Sequence, residues 1–429
     1  MQTSIFDIIY PKFKIDKPIR LISLFSGYDS QALALKYLDI PYEHYRTCEW
    51  AVKSIQALKD IHFDNDSNDY SENYTKEQIQ EMLFKKGISA NYNEPMSFEQ
   101  IKKLNETQLR TIFNNIVATH NMVNIQQVNG EDLGITDTDK YCYIMTYSFP
   151  CQDLTIAGKR MGMSDTSTRS GMLWEVERIL TECKAKPQVL LMENVTLVHG
   201  DGNSQDFNKW QLRLEELGYK NYWQDLIATD YGIPQTRNRC FMVSILGDYS
   251  YSFPPKQELK IRLKDLLEDE VDEKYYVTKG TLNYFLKQKE NGFPRRDRFF
   301  QALELTNKLQ LAGSLTALQG SKPTDNHVLI KDTKNYIEWY EKGRLDMDCR
   351  AWKEERIIGA IMTTAAKNKI LKSDFRIRNL TSLEMFRLMG VKDEDFEKIK
   401  KHQNHSSLYH LAGDSIVVNV LMAIFKELL

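Results

Sequence analysis

Two rhythms of apolar and polar positions divide the chain. Short apolar runs bounded by Gly, Pro, Asp or Ser read as buried strands, and stretches with apolar residues three and four apart read as helices. Strands are predicted at 19–25 (IRLISLF), 42–50, 122–128, 141–147, 187–192 (PQVLLM), 222–229 and 240–246. Helices are predicted at 31–38, 76–86, 97–120, 170–183, 206–217, 381–389 and 416–429, the one at 97 opening on the capping-box pair Ser97 and Gln100. Strands alternating with helices predict an α/β fold built on an open sheet. Residues 53–121 break the alternation with polar text and two helical patterns, which predicts a helical insertion on the outside of the main domain.

Open α/β sheets keep their chemistry beyond the carboxyl ends of the strands, so the residues there are the candidates. The first strand turns through Ser26, Gly27, Tyr28, Asp29 and Ser30 into a helix. This is half of a nucleotide-binding unit, or a tight turn and nothing more. The second strand ends in Glu49 and Trp50, about twenty residues after the turn, where an acidic residue accepts from ribose hydroxyls and an indole face can stack on adenine. Asp132, after the third strand, either accepts from an adenine amino group or caps a turn. The strand at 141–147 breaks at Ser148-Phe149-Pro150 and delivers Cys151, a small buried hydrophobe or a nucleophile. The strand at 187–192 ends in Glu193-Asn194-Val195, which puts a carboxylate near that thiol if the two strands are neighbours. Arg237 and Arg239, alternating into the strand at 240, put both guanidinium groups on one face, either as a surface pair or with one fixed against a planar base.

Composition narrows the class. A chain of 429 residues is long for one core, so two domains, or one with an insertion, are expected. A net charge of -2 excludes a uniformly basic nucleic-acid coat but not a local basic cleft. The six cysteines show neither CxxC pairs nor Cys/His metal spacing, which predicts a reducing compartment and no metal. Neither a signal-peptide pattern nor an apolar run of membrane length is seen, so the expected location is cytoplasmic, away from the membrane.

Seven blocks in order carry a resemblance: FSG (25–27), EW (49–50), SFPCQDLTIAGKRMG (148–162), ENV (193–195), QTRNR (235–239), RNLTSLEMFRLMG (378–390) and GDSIVVNV (413–420). Together they resemble the cytosine-5 DNA methyltransferases that use S-adenosylmethionine. The resemblance implies a Rossmann-like methyltransferase sheet with a second, smaller target-recognition domain. Residues 1–275 plus 408–429 would form the catalytic, cofactor-binding domain and 276–407 the target-recognition domain. It implies cofactor contacts from Phe25, Ser26, Gly27, Tyr28, Glu49, Trp50, Asp132, Leu133, Phe149, Pro150, Asp414 and Ile416. Catalysis would fall to Cys151, Glu193 and Arg239, with Gln152, Asn194 and Arg237 in support. Two departures stand out: Asp29 and Ser30 replace glycines of the family's first turn, and Asp414 replaces an asparagine.

The chemistry explains the residue types. Attack of a thiolate on carbon 6 of cytosine turns carbon 5 into a nucleophile, a carboxyl group at N3 and a guanidinium at the carbonyl oxygen hold the displaced charge, and the base must leave the stack. Extrusion needs protein on both sides of the duplex. Arg295, Arg296, Arg298, Arg376 and Arg378 are therefore either phosphate and guanine contacts or solvated surface. The expected partner is double-stranded DNA, met by a monomer, with a cognate restriction endonuclease where the enzyme belongs to a restriction-modification pair. Three alternatives remain: an RNA cytosine-5 methyltransferase, a DNA-binding protein that has lost transfer, and a thiol hydrolase pairing Cys151 with His199.

Overall fold

The computed structural model describes residues 10–150, 170–278, 311–316, 327–331 and 375–429. Six strands form one sheet: β1 (Ile19–Leu24), β2 (Tyr42–Cys48), β3 (Cys142–Tyr147), β4 (Val189–Val195), β5 (Tyr219–Ile227) and β6 (Asn238–Leu246), in the order β2-β1-β3-β4-β6-β5. The pairs β1–β2, β1–β3 and β3–β4 are parallel, and β6 runs antiparallel to both neighbours. β3 is buried along its whole length, as a central strand covered on both faces must be.

Side chains of β1 divide between the two faces. Ile19 and Leu21 join a core with helix α1 (Ser30–Tyr37), and Ile22 and Leu24 join the core on the other face. The second core is closed by α6 (Leu173–Glu182) and α7 (Ser204–Glu216) through Leu173, Val176, Phe207 and Trp210. The first is closed by the C-terminal helix α10 (Val418–Leu428), whose Val420, Leu421 and Ile424 are buried there. The segment His405–Leu428 is apolar enough to cross a membrane, yet most of it is buried in this core.

The insertion contains α3 (Lys76–Lys86), α4 (Phe98–Lys102) and α5 (Glu106–Ala118), which share a small core with Ile55 of α2 (Val52–His62). The single helix predicted at 97–120 is therefore two. Asn105 and Gln108 form a second capping box that restarts the helix after Leu104. The strand predicted at 122–128 is absent. Asn121 accepts from the Val123 amide (2.8 Å) and Asn124 from the Gln126 amide (3.1 Å), so local side-chain bonds replace a ladder.

β7 (His327–Lys331) and β8 (Phe375–Asn379) form a separate antiparallel pair. Arg378 on β8 is neither solvated nor free to meet a phosphate. It is 1% exposed and makes a bidentate ion pair with Glu384 of α8 (Ser382–Leu388), both bonds 2.7 Å. α9 (Asp393–Lys400), on the target-recognition side of the expected boundary, packs on the sheet domain. There Asp395 receives Lys36 (2.6 Å) and the Tyr37 hydroxyl (2.7 Å) from α1.

Candidate active site

Two groups of side chains gather at the carboxyl edge of the parallel strands. The first lies beyond β1 and β2. The chain leaves β1 through three residues with left-handed backbone, Phe25 (φ 55°), Gly27 (φ 56°) and Asp29 (φ 61°). A Cβ on Gly27 would meet nothing within 4 Å, so the turn borders open space. The buried hydroxyl of Ser26 has no partner among the described residues. The Glu49 carboxylate is oriented by the amides of Gly27 (3.0 Å) and Ala51 (2.7 Å), and burial raises its pKa in spite of those bonds. Open space, an orphaned hydroxyl and an aimed carboxylate fit a nucleoside with free ribose hydroxyls.

Asp29 shows how the glycine turn survives without its glycine. Aspartate is one of the few residues that visit the left-handed region routinely. Its Oδ1 accepts from the Ala32 amide (3.1 Å) to cap α1, and its Oδ2 lies 2.7 Å from His44 Nε2 on β2. Burial opposes the charged carboxylate, but the bond to His44 and its charge outweigh burial and lower the Asp29 pKa. His62, pushed down to about 4 by burial, stays neutral and donates Nε2–H to the Tyr28 carbonyl (2.9 Å), a second tie on the turn.

Several residues of the predicted cofactor set make contacts within the protein. Tyr28 is 1% exposed, with its ring against Phe386, and Leu133 is fully buried in the core under β3. Asp132 is exposed, and its carboxylate accepts from the Asn129 amide (2.7 Å), which makes it a turn cap. Ile416 is buried with α10, and Trp50 packs partly on the core of the insertion. Asn121 carries no flag in the sequence pattern, yet its carboxamide clamps Glu49 from both sides. It accepts from the Glu49 amide and donates to the Glu49 carbonyl, each at 3.0 Å. Next to it, Val123 holds φ at 72°, an unusual strain for a β-branched residue beside a candidate site. Asparagines at 121 and 124 bracketing Met122 and Val123, each placed to bond an amide two residues on, are the signal that would have found them.

The second group lies where β3 and β4 end and β6 begins. Glu193 is buried, accepts from the Ser148 hydroxyl (2.6 Å) through Oε2, and pairs through Oε1 with Arg239 Nε (3.3 Å). Asn194 donates to the Phe149 carbonyl (3.0 Å) and accepts from the Val195 amide (2.8 Å), fastening the end of β4 to the chain that leaves β3. β4 and β3 are neighbours, and Val195 pairs with Arg239 across β6, so the sheet register brings these positions together. Cys151 and Gln152 lie outside the described residues, just past Pro150.

Arg237 parts company with Arg239. It is buried, and its guanidinium donates to the carbonyls of Leu315 (3.2 Å), Gly413 (3.0 Å) and Ser415 (2.8 Å). The expectation that both guanidinium groups lie on one face is corrected: Arg237 precedes β6, where no strand geometry aligns it, and three carbonyls claim it. Gln235 is equally structural, donating to the Leu388 carbonyl (2.7 Å) and accepting from the Leu315 amide (3.1 Å). His199 Nε2 lies 2.9 Å from Asp225 on β5.

A family model for C-5 cytosine-specific DNA methylases matches residues 86–429. The chain is 31% identical over 415 residues to the type II methyltransferase M2.ScrFI of Lactococcus lactis subsp. cremoris, covering 96% of this chain and 99% of that protein. It is 29% identical over 423 residues to the orphan methyltransferase M.SssI of Spiroplasma monobiae, covering 96% and 97%. Among solved structures, the S. pombe Dnmt2 methyltransferase matches with a TM-score of 0.59 at 17% identity, over 95% of this chain and 98% of that one. The Entamoeba histolytica methyltransferase EhMeth matches at 0.60 and 15%, over 96% and 98%, and these two likenesses show a shared fold. With its α/β sheet and the family model spanning most of its length, the chain belongs to the C-5 cytosine-specific DNA methylase family.

Proposed function

We propose that this enzyme methylates carbon 5 of a cytosine extruded from double-stranded DNA, with Cys151 as nucleophile and S-adenosylmethionine as donor. The observation that carries the reading is the Ser148–Glu193–Arg239 group at the strand ends from which Cys151 emerges. Bound S-adenosylmethionine supplies a methyl group on a positively charged sulfur; Glu49, Ser26 and the backbone of Gly27 are the residues that would hold its nucleoside.

The Cys151 thiolate forms a bond to carbon 6, and the displaced π electrons spread to carbon 5, N3 and the carbonyl oxygen. Glu193, with Ser148 on one oxygen and Arg239 on the other, is held in place to share a proton at N3 and to accept from the amino group that distinguishes cytosine from thymine. Arg239 offers its remaining N–H groups to the carbonyl oxygen. Once carbon 5 carries the methyl group that bound S-adenosylmethionine would supply, loss of the carbon-5 proton to a base lets the carbon–hydrogen electrons re-form the 5,6 double bond, expels the Cys151 thiolate from carbon 6 and restores the pyrimidine. The four described cysteines are unsuited to this role, because burial pushes Cys183 up to about 11, Cys142 up to about 12, and Cys48 and Cys240 higher still.

Incubation with labelled S-adenosylmethionine and parallel duplex DNA and tRNA substrates tests the proposal. Label is expected in DNA with the wild type and absent with Cys151→Ser. Label in tRNA alone would overturn the substrate, and label in DNA with Cys151→Ser would overturn the nucleophile. A duplex containing 5-fluorocytosine should trap the covalent adduct.

A further inference from the structure

On the face of the sheet covered by α6 and α7, a second cluster of side chains is left unused by the reaction: His199, Asp225 and Cys240. Asp225 of β5 and Cys240 of β6 are direct partners across the antiparallel ladder, so their side chains share a face. Cys240 is also the partner of Asn194 on β4, and the chain leaving β4 makes a short 3₁₀ turn (Thr196–His199) that brings His199 to the same place. His199 Nε2 lies 2.9 Å from Asp225 Oδ1, and an imidazole nitrogen, a carboxylate oxygen and the thiol sulfur all fall within 4.8 Å of one another. The imidazole is held in position. Its ring lies against Trp223 (centroids 4.8 Å apart, planes at 36°), and the Asn203 side chain pins the turn by donating to the Leu197 carbonyl (2.9 Å).

A hydrogen-bonded pair accounts for His199 and Asp225 but not for the fully buried thiol that joins them. A metal ion accounts for all three. Around a tetrahedral zinc, with bonds of about 2.0 Å to nitrogen and oxygen and about 2.3 Å to sulfur, neighbouring ligand atoms stand about 3.3–3.5 Å apart. The 2.9 Å contact need open only slightly for this, and the wider separations close by about 1 Å. An imidazole, a thiolate and a carboxylate suit zinc, whereas magnesium and calcium want oxygen alone. Both His199 and Asp225 are half-buried, which leaves a fourth position open to water. We propose that His199, Asp225 and Cys240 form a zinc site that ties the exit of β4 to β5 and β6, one residue along from Glu193 and Arg239. On binding, the Cys240 sulfur bonds to the metal and its proton passes to solvent, with no change of oxidation state. This departs from the expectation, drawn from cysteine spacing, that the chain holds no metal: the ligands are remote in sequence and only the strand register unites them. It does not depend on the reaction proposed above.

Titration of the full chain, stripped of metal by a chelator, with zinc chloride against a chromophoric competitor tests the site. The wild type should take up a single equivalent that excess magnesium does not displace, and His199→Ala and Cys240→Ser should each weaken uptake by about a hundredfold or more. Cobalt in place of zinc should give a thiolate-to-metal charge-transfer band that persists in Cys151→Ser and vanishes in Cys240→Ser. Zinc should also raise the melting temperature of the wild type by several degrees and leave that of His199→Ala unmoved. His199 is partly exposed, so its replacement spares the core, and that variant decides the matter if Cys240→Ser fails to fold. A wild type that binds no zinc, uptake unchanged in His199→Ala, or a cobalt band that survives Cys240→Ser or is lost in Cys151→Ser would overturn the site.

Discussion

The two ends of the active-site edge are built differently. On the proposed base side, Glu193 of β4 and Arg239 of β6 are spaced by the sheet register, and Ser148 follows directly on β3, the other neighbour of β4. On the cofactor side, little is set by register. Asp29 is held in its left-handed turn by His44, and Asn121, far along the chain, splints Glu49. A site made by register tolerates little change in its residue types. Side chains brought together by loops depend on single partners, as Asp29 does on His44.

The sharpest break between the two sides comes from Cys151→Ser. It should abolish methyl transfer in a filter-binding assay while leaving S-adenosylhomocysteine affinity unchanged, because only the base side is touched. Arg239→Ala should lower kcat by about 10²–10³-fold, or ~3 kcal/mol, again without weakening cofactor binding. A parallel loss of cofactor affinity would show that the two sides are one coupled unit.

On the cofactor side, His44→Ala leaves the buried Asp29 carboxylate without its partner and should cost about 3 kcal/mol in denaturant unfolding. The double change Asp29→Gly with His44→Ala should recover much of that, since glycine takes the left-handed turn with no charge to satisfy. If the double variant is as unstable as the single one, the aspartate is not what His44 serves. The same pair has a pH signature. The folded Asp29 pKa is below its unfolded value, near ~3.9, so its contribution is present above about pH 4 and is lost as pH falls toward the folded value. Melting temperature should therefore drop less steeply below pH 4 in Asp29→Gly than in the wild type. The smallest effect expected is for Asn121→Ala, which removes two neutral bonds to the Glu49 backbone and should weaken S-adenosylhomocysteine by about tenfold or less.

Much of the base side was legible because its signals are local. An apolar run ending in Ser-Phe-Pro, and another ending in Glu-Asn-Val, place polar groups at strand ends whatever the rest of the fold does. The missing strand at 122–128 and the turn cap Asp132 were misread or left open because asparagine and aspartate side chains compete with the backbone for the same amides, and the winner depends on neighbours that are remote in sequence. Arg237 and Arg239 look equivalent in the text. Only the docking of residues 311–316 and 413–415 separates them, by surrounding one with carbonyls.

The chain's own residues determined the alternation of strands and helices, the family motifs and the kinds of groups the chemistry requires, since these follow from periodicity and residue type over a few positions. The tertiary structure alone decided which polar residues reach the edge of the sheet and which are spent on caps and carbonyls. Those outcomes depend on long-range packing, where burial forces each polar group to find a partner and no short stretch of sequence names that partner in advance.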